Sequence, residues 1–156
     1  RLNISNWRRP APNTIPWDTK ASGLYMICTL SKHEAEKQGY TDSLMLDHDG
    51  NIAEATGANI FFKDKNGEIH TPIPDSFLDG ITRRTVIEIA KSKNIKVHER
   101  KISPTELSNF VGCFLTGTAA EVTPVSCIGE NQFKVCDTII ELNESYQALV
   151  RKKKAA

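Results

Sequence analysis

The chain has 156 residues, a formal net charge of +1 and a hydrophobic content of 39%. Nothing in this composition argues for intrinsic disorder, and the length suits one domain with a real core. The near-neutral charge argues against nucleic-acid or membrane-surface partners, and no apolar run approaches the ~20 residues of a membrane span. The first residue is not methionine and no signal peptide follows, so we expect a piece of a longer protein.

The cysteines suggest where such a protein would reside. Four cysteines are scattered without CxxC spacing, and three of them lie among apolar neighbours. This pattern favours reduced core thiols in a cytoplasmic protein. The histidines show no ligand spacing with the cysteines, so we expect no metal site from this pattern.

Residues 1–19 predict a short strand at Leu2 and Ile4, followed by a proline-rich stretch that must be extended or looped. We interpret this part as a connector from upstream or as the start of the domain. Arg8 and Arg9 are expected to be solvated, with contact to a ligand as the alternative.

The first helix is predicted directly after Lys20. Apolar residues recur at helical spacing from Leu24 to Ala35, and Gly39 provides a C-terminal stop. A lysine at the start of a helix is normally solvated, so Lys20 alone predicts no function.

Residues 43–71 predict a β-meander, with turns at 47–50 and at Asn66–Gly67. Residues 54–59 (EATGAN) interrupt it as a polar segment of small residues. Glu54 could point into a cavity, but the local pattern slightly favours a surface loop.

Two glycine-containing turns are candidate anion sites. Gly80, Ile81 and Thr82 begin a second helix, where free N–H groups, a hydroxyl and the helix dipole suit a phosphate. The alternative is that Asp79 caps this helix and the glycine only makes the turn.

The second candidate turn follows an apolar strand at 113–115. Gly117 lies between two threonines, and the small residues after it leave room for N–H groups and hydroxyls to bind phosphate or carboxylate oxygens. The alternative is an ordinary tight turn.

The remaining elements complete a mixed pattern. Ile95–Lys101 predicts a strand, Ser103 and Glu106 predict a capping box, and residues 137–151 predict an amphipathic helix. The residues expected on its inward face are Ile139, Leu142, Tyr146, Leu149 and Val150. Lys152, Lys153 and Lys154 predict a solvated basic tail. Because strands and helices do not alternate regularly, the fold class is α+β, with a barrel-like or split sheet.

A lysine, an acidic segment and two anion sites are the parts that a pyridoxal phosphate enzyme requires. The cofactor needs an amine for a Schiff base, a carboxylate for its ring nitrogen and a phosphate clamp. Spacing alone does not assign these roles.

Four motifs, in family order, resemble the branched-chain amino acid aminotransferases. These are class IV pyridoxal-phosphate enzymes, grouped with D-amino acid aminotransferase and aminodeoxychorismate lyase. The similarity extends from Trp7 to Val150. The motifs are residues 20–25 (KASGLY), 53–61 (AEATGANIF), 78–83 (LDGITR) and 115–124 (LTGTAAEVTP).

The resemblance implies a domain organisation. Residues 20–151 would form the larger, cofactor-binding C-terminal domain, a barrel-like mixed sheet flanked by helices, and residues 152–156 a basic tail. By the same resemblance, we expect the N-terminal small domain of the family to be missing from this chain. That domain supplies a further phosphate-binding arginine and much of the side-chain pocket.

The resemblance also implies roles for individual residues. Lys20 would carry the internal aldimine and shuttle the substrate proton, Tyr25 would hydrogen-bond the cofactor's phenolate oxygen, and Glu54 would pair with its pyridinium nitrogen. Leu78 would pack on the ring face. Phosphate and substrate carboxylate would be held by backbone groups in the two turns, at Gly80, Ile81, Thr82, Gly117, Thr118 and Ala119. Leu24 and Ala58 depart from the Asn and Glu of many relatives.

The implied reaction is ping-pong transamination of leucine, isoleucine or valine with 2-oxoglutarate, in a homo-oligomer. This chain would be weakly active or inactive alone. The alternatives are a non-catalytic remnant that binds only cofactor or a partner, or a D-amino acid aminotransferase or aminodeoxychorismate lyase of the same group.

Overall fold

The computed structural model describes residues 1–151, which form two five-stranded sheets, three α-helices and two 3-10 turns. The 3-10 turns are Ser22–Tyr25 and Pro104–Asn109. The strands and helices in chain order are β1 (Leu2–Arg8), α1 (Met26–Lys37), β2 (Asp42–Leu46), β3 (Ile52–Ala55), β4 (Asn59–Asp64), β5 (Ile69–Thr71), α2 (Ile81–Ser92), β6 (Val97–Glu99), β7 (Phe110–Gly117), β8 (Glu121–Pro124), β9 (Cys127–Ile128), β10 (Asn131–Gln132) and α3 (Asp137–Val150).

The first sheet has the strand order β10-β9-β1-β2-β3. The strand predicted at Leu2 and Ile4 is confirmed, and it continues to Arg8 in the middle of this sheet. It runs parallel to both neighbours, β2 and β9, whereas the outer pairs are antiparallel. The beginning of the chain is therefore part of the folded unit.

The second sheet has the order β6-β5-β4-β7-β8, and its longest pairing joins β4 to β7. The prediction of one continuous meander over residues 43–71 is wrong, because β3 belongs to the first sheet and β4 to the second. The predicted turns are nevertheless correct, with Gly50 and Gly67 both at positive φ. The chain changes sheets at residues 56–58, where the N–H of Ala55 donates to the carbonyl of Ala58 at 2.8 Å.

Strand β4 separates two hydrophobic clusters. Because successive side chains of a strand point to opposite faces, Phe61 and Phe62 enter different clusters. Phe62 packs between the sheets, with its ring centroid 4.8 Å from that of Phe110. Phe61 stacks on Phe114 at 4.9 Å, in the cluster that faces α2 and α3.

The helices are confirmed near their predicted bounds, although part of one predicted face differs. In α2, Ile81 is 76% exposed, because the helix buries the stripe that starts at Thr82 and Arg83. In α3, Leu149 and Val150 were expected inward but are about half exposed at the last turn. The buried residues of α3 are Ile139, Leu142 and Tyr146, as predicted.

The capping box and the basic tail are two further predictions from the sequence. The capping box is confirmed, since the Ser103 N–H donates to Glu106 Oε1 at 2.8 Å and the Ser103 hydroxyl accepts from the Thr105 N–H. The basic tail lies outside the described residues. In the described part of the chain, no helix has the length and apolar character that crossing a bilayer demands.

Candidate functional site

A cavity of about 620 Å³ gathers most of the predicted site residues. It lies between the chain segment before α1, strands β3 and β4, the end of β7 and the beginning of α2. Ala119 is the one predicted site residue outside this lining, and it is exposed in the turn beyond β7. Predicted residues that do line the cavity are Lys20, Tyr25, Glu54, Leu78, Gly80, Ile81, Thr82, Gly117 and Thr118.

Glu54 forms part of the cavity wall from within a buried strand. The prediction of a surface loop residue is wrong, because all four residues of β3 are buried and Glu54 is only 9% exposed. Burial raises the pKa of Glu54 to about 8, although the nearby Arg9 guanidinium acts in the opposite direction. A cationic partner in the cavity would therefore stabilise the ionised form of the Glu54 carboxyl group.

Arg9 is the site residue that sequence reasoning missed. It was expected to be solvated, but it is only 4% exposed, and its Nε lies 3.4 Å from Glu54 Oε1. Its guanidinium also donates to the carbonyls of Ser76 and Leu24 and to Cys28 Sγ, at 3.2 to 3.4 Å. Nothing in the local sequence separates Arg9 from the exposed Arg8, because its burial comes from the fold around the end of β1.

Tyr25 lies beside this pair at the end of the 3-10 turn that precedes α1. Burial raises the pKa of Tyr25, and the Glu54 carboxyl and the Cys28 thiol add to this effect. The phenol therefore keeps its proton at neutral pH and can donate a hydrogen bond into the cavity.

The beginning of α2 presents an uncapped helix end to the cavity. Gly80 is the N-cap residue and provides no side-chain cap, so the first N–H groups of the helix remain available. The alternative of a cap by Asp79 is wrong, because that carboxylate instead accepts from Arg83 Nη1 at 2.9 Å. The uncapped end favours negative charge through its free donors and its dipole.

Asn59 fixes the turn before α2. Its Nδ2 donates to the Leu78 carbonyl at 2.9 Å, and its Oδ1 accepts from the Gly80 N–H at 3.2 Å. A Cβ atom on Gly80 would lie 2.4 Å from Asn59 Oδ1, which is closer than real Cβ contacts allow. The glycine is therefore needed for close packing.

The second glycine turn lies at the same end of the sheet. Asn59 at the start of β4 pairs with Thr116 near the end of β7, so Gly117 and Thr118 follow beside the first turn. Thr116 Oγ1 is buried and has no hydrogen-bond partner among residues 1–151. The structure thus brings both candidate anion turns to one cavity, together with Lys20 and Glu54.

Comparisons with known proteins agree with this arrangement. The family described as "Amino-transferase class IV" matches residues 1–128. A probable branched-chain-amino-acid aminotransferase of Rickettsia bellii is 43% identical over 96% of this chain and 53% of the relative. The corresponding enzyme of Escherichia coli K12 is 42% identical over 80% of this chain and 40% of the relative.

A solved structure shows the same similarity. The branched-chain amino acid aminotransferase of Thermobaculum terrenum, in its PLP-bound holo-form, superposes with a TM-score of 0.91 at 33% identity, covering 96% of this chain and 50% of the other. This chain therefore spans about half the length of the first relatives that it matches.

The raised pKa of Glu54 predicts a pH-dependent stability. The folded chain keeps this proton up to about pH 8, whereas the unfolded chain releases it near the ordinary value of 4.5. Between these values the folded state binds the extra proton, so this group's contribution falls by about 1.4 kcal/mol per pH unit as the pH rises. We expect Glu54→Gln to remove this decline in urea unfolding measured from pH 5 to 8.

The matched control is Glu88→Gln, since Glu88 is 72% exposed on α2 and its carboxylate forms an ion pair with Lys91 at 3.2 Å. The control should follow the wild-type curve. If the Glu54→Gln curve also stays parallel to wild type over this range, the carboxyl is not held neutral by burial.

Proposed function

The chain belongs to the amino-transferase class IV family, and we propose from this premise that it is the cofactor-binding part of a pyridoxal-phosphate-dependent branched-chain amino acid aminotransferase. The observation that carries the proposal is the convergence of Lys20, Glu54 and two glycine turns on one cavity. The printed names of the relatives support the choice of branched-chain substrates. The holo-form of the Thermobaculum terrenum enzyme supports the choice of cofactor.

The residues present fit pyridoxal phosphate. A phosphate group needs N–H donors and positive potential, which the uncapped end of α2 offers at Ile81 and Thr82. A protonated ring nitrogen needs a buried acceptor, and Glu54 has only Arg9 as an ionic partner at 3.4 Å among the described residues. The donor set of the cavity therefore suits this cofactor, and Leu78, which also lines the cavity, would pack on its ring.

The side chains of Lys20 and Tyr25 would have different roles in the reaction. When bound, pyridoxal phosphate supplies an aldehyde that bonds to amines and a ring that withdraws electrons from the substrate α-carbon. Lys20 Nζ would bond to the cofactor at rest and, once free, would carry the proton that leaves the α-carbon. The Tyr25 phenol would donate a hydrogen bond to the ring oxygen.

Glu54 would keep the ring nitrogen protonated. A cationic N–H beside this carboxyl favours its charged form, since opposite charges nearby offset the cost of burial. Arg9 acts in the same direction from its own side of the carboxyl, at 3.4 Å. The ligand and the protein would therefore share the stabilisation of one buried negative charge.

The substrates we propose are small amino acids and 2-oxo acids. The N–H groups of Thr118 and Ala119 would bind the substrate carboxylate. The proposed net reaction transfers the amine of leucine, isoleucine or valine to 2-oxoglutarate and yields the corresponding 2-oxo acid and glutamate. A cytoplasmic location stays a prediction, and the four free thiols support it. Assembly into a homo-oligomer also stays a prediction.

Covalent attachment of the cofactor at Lys20 is the direct test. We expect pyridoxal phosphate to give a visible absorbance band with the wild-type chain, and borohydride reduction to fix the cofactor mass on the peptide that contains Lys20. Lys20→Ala should lose both signals, because its cavity then contains no amine at this position. Lys32→Ala, on the exposed face of α1, is the control and should retain them. Labelling that is unchanged in Lys20→Ala would contradict the proposal.

The Gly80 turn can be tested through the phosphate. A Cβ atom at Gly80 would displace Asn59 and disturb the uncapped helix end, so we expect Gly80→Ala to weaken pyridoxal phosphate binding about tenfold or more. Binding of pyridoxal, which has no phosphate, should change much less. Gly23→Ala is the matched control, because a Cβ atom there meets nothing within 4 Å. Equal losses for the two ligands would mean that this turn does not bind phosphate.

Substrate choice can be measured as a half-reaction on the loaded chain. We expect L-leucine to convert the bound cofactor to its amine form faster than D-alanine does. Absorbance reports this conversion without requiring full turnover. A preference for D-alanine would indicate a D-amino acid aminotransferase, and release of pyruvate from aminodeoxychorismate without conversion of the cofactor would indicate a lyase. A bound cofactor with neither reaction would favour a non-catalytic remnant.

A further inference from the structure

A cluster of two histidines and one glutamate lies away from the cavity, at the edge of the second sheet. Strands β5 and β6 pair in parallel register, with His70 opposite His98. Glu68 is two residues before His70 and shares its face of the sheet. None of the three lines the cavity. They lie near the end of β4 that is farther from Asn59, where Phe62 pairs with His70.

The three side chains already share a small space. The imidazole rings of His70 and His98 stack with centroids 4.7 Å apart and an interplanar angle of 15°. His98 Nε2 lies 2.6 Å from Glu68 Oε2. One ring nitrogen of each histidine and one oxygen of Glu68 lie within 4.8 Å of one another.

The hydrogen bonds of His70 decide which of its nitrogens can bind a cation. Arg100 Nε is only a donor, and it contacts His70 Nδ1 at 3.2 Å, so this nitrogen carries the lone pair of the neutral ring. The other nitrogen, Nε2, then donates to Asp64 Oδ2 at 3.2 Å. A carboxylate on the second nitrogen is the arrangement that orients metal-binding histidines in proteins.

We propose that Glu68, His70 and His98 form a binding site for a divalent transition-metal ion of the zinc class. Two imidazoles with one carboxylate are a ligand set that Zn²⁺ takes, with a fourth position left for water. Tetrahedral bonds of about 2.0–2.2 Å place ligand atoms about 3.4 Å apart, so the two stacked rings and the carboxylate must turn toward one point to bind an ion.

Binding of the ion exchanges contacts that the cluster already makes. The ion takes the place of the proton between His98 Nε2 and Glu68 Oε2, so the neutral His98 ring carries its one proton on Nδ1 instead. At His70 Nδ1 the ion takes the place of the Arg100 N–H. Arg100 remains paired with Glu106, whose Oε2 lies 2.7 Å from Arg100 Nη2. Lys96, which is 3.2 Å from Glu68 Oε1, adds a second repelling charge. The site should therefore bind more weakly than a closed structural zinc centre with four protein ligands.

The bound ion would connect the edge strand to its neighbour. Strand β6 has three residues and lies at the end of the sheet order, with β5 as its only partner strand among the described residues. A metal bridge from His98 to His70 and Glu68 would join these two short strands through side chains. The ligand would then stabilise the sheet edge, because it binds only the folded arrangement.

Titration of the chelator-treated chain with Zn²⁺ tests the proposal. We expect one Zn²⁺ per chain by calorimetry, lost or weakened more than about tenfold in His98→Gln and in Glu68→Gln. His33→Gln is the control, since this exposed histidine on α1 lies outside the cluster and should leave the affinity unchanged. Far-UV circular dichroism confirms that each variant folds. Equal Zn²⁺ affinity in wild type and His98→Gln, or no binding by wild type, overturns the proposal.

Arg100→Met provides a test with the opposite sign. Removal of the competing donor and its charge should tighten Zn²⁺ binding, whereas a purely structural hydrogen-bond network would give no gain. Co²⁺ as a second probe should give the intense visible absorption of a tetrahedral site in wild type and Arg100→Met, and not in His98→Gln. Weaker Zn²⁺ binding in a folded Arg100→Met variant would contradict the assigned role of His70 Nδ1.

Discussion

The pairing of β4 with β7 is the constraint on which the site depends. Its register places Asn59 opposite Thr116, so the two strands bring their glycine turns to the same end of the sheet. Asn59 then holds the Gly80 turn through both atoms of its amide. A single antiparallel ladder thus positions two anion-binding turns that are far apart in the sequence.

The cavity places one carboxyl group where water cannot stabilise its charge. Glu54 is buried in β3, and burial alone would keep it protonated at neutral pH. Arg9 provides one opposing charge, and a ligand with a cationic nitrogen would provide another. The site therefore favours a ligand with a protonated ring and an anionic tail. Each feature alone is unspecific, but their combination selects a narrow class of ligands.

The sequence predicted the parts of this fold whose causes are local. Glycine turns, the capping box at Ser103 and the helical spacing of α1 and α3 depend on neighbouring residues, and the structure contains them. The motif resemblance correctly indicated the family, and nine of the ten residues that it named line one cavity. Their individual roles stay predictions.

What the sequence could not predict depends on contacts between distant segments. Arg9 is buried by contacts with residues far from it in the sequence, such as the Ser76 carbonyl, and Glu54 is buried beside it in β3. The change of sheets at residues 56–58 depends on the partner that β4 finds in β7, which no local pattern encodes. In the same way, His70 and His98 become neighbours only through the parallel register of two short strands.

The two faces of β4 have a mechanical consequence. Phe61 and Phe62 belong to different hydrophobic clusters, so β4 contributes packing contacts to both. Loss of packing in one cluster would therefore also destabilise the other. Thermal motion that separates the sheets would also disturb the helices behind Phe61. We therefore expect the two clusters to unfold together as one cooperative unit. The amide hydrogens of β4, which lines the cavity, should be among the last to exchange.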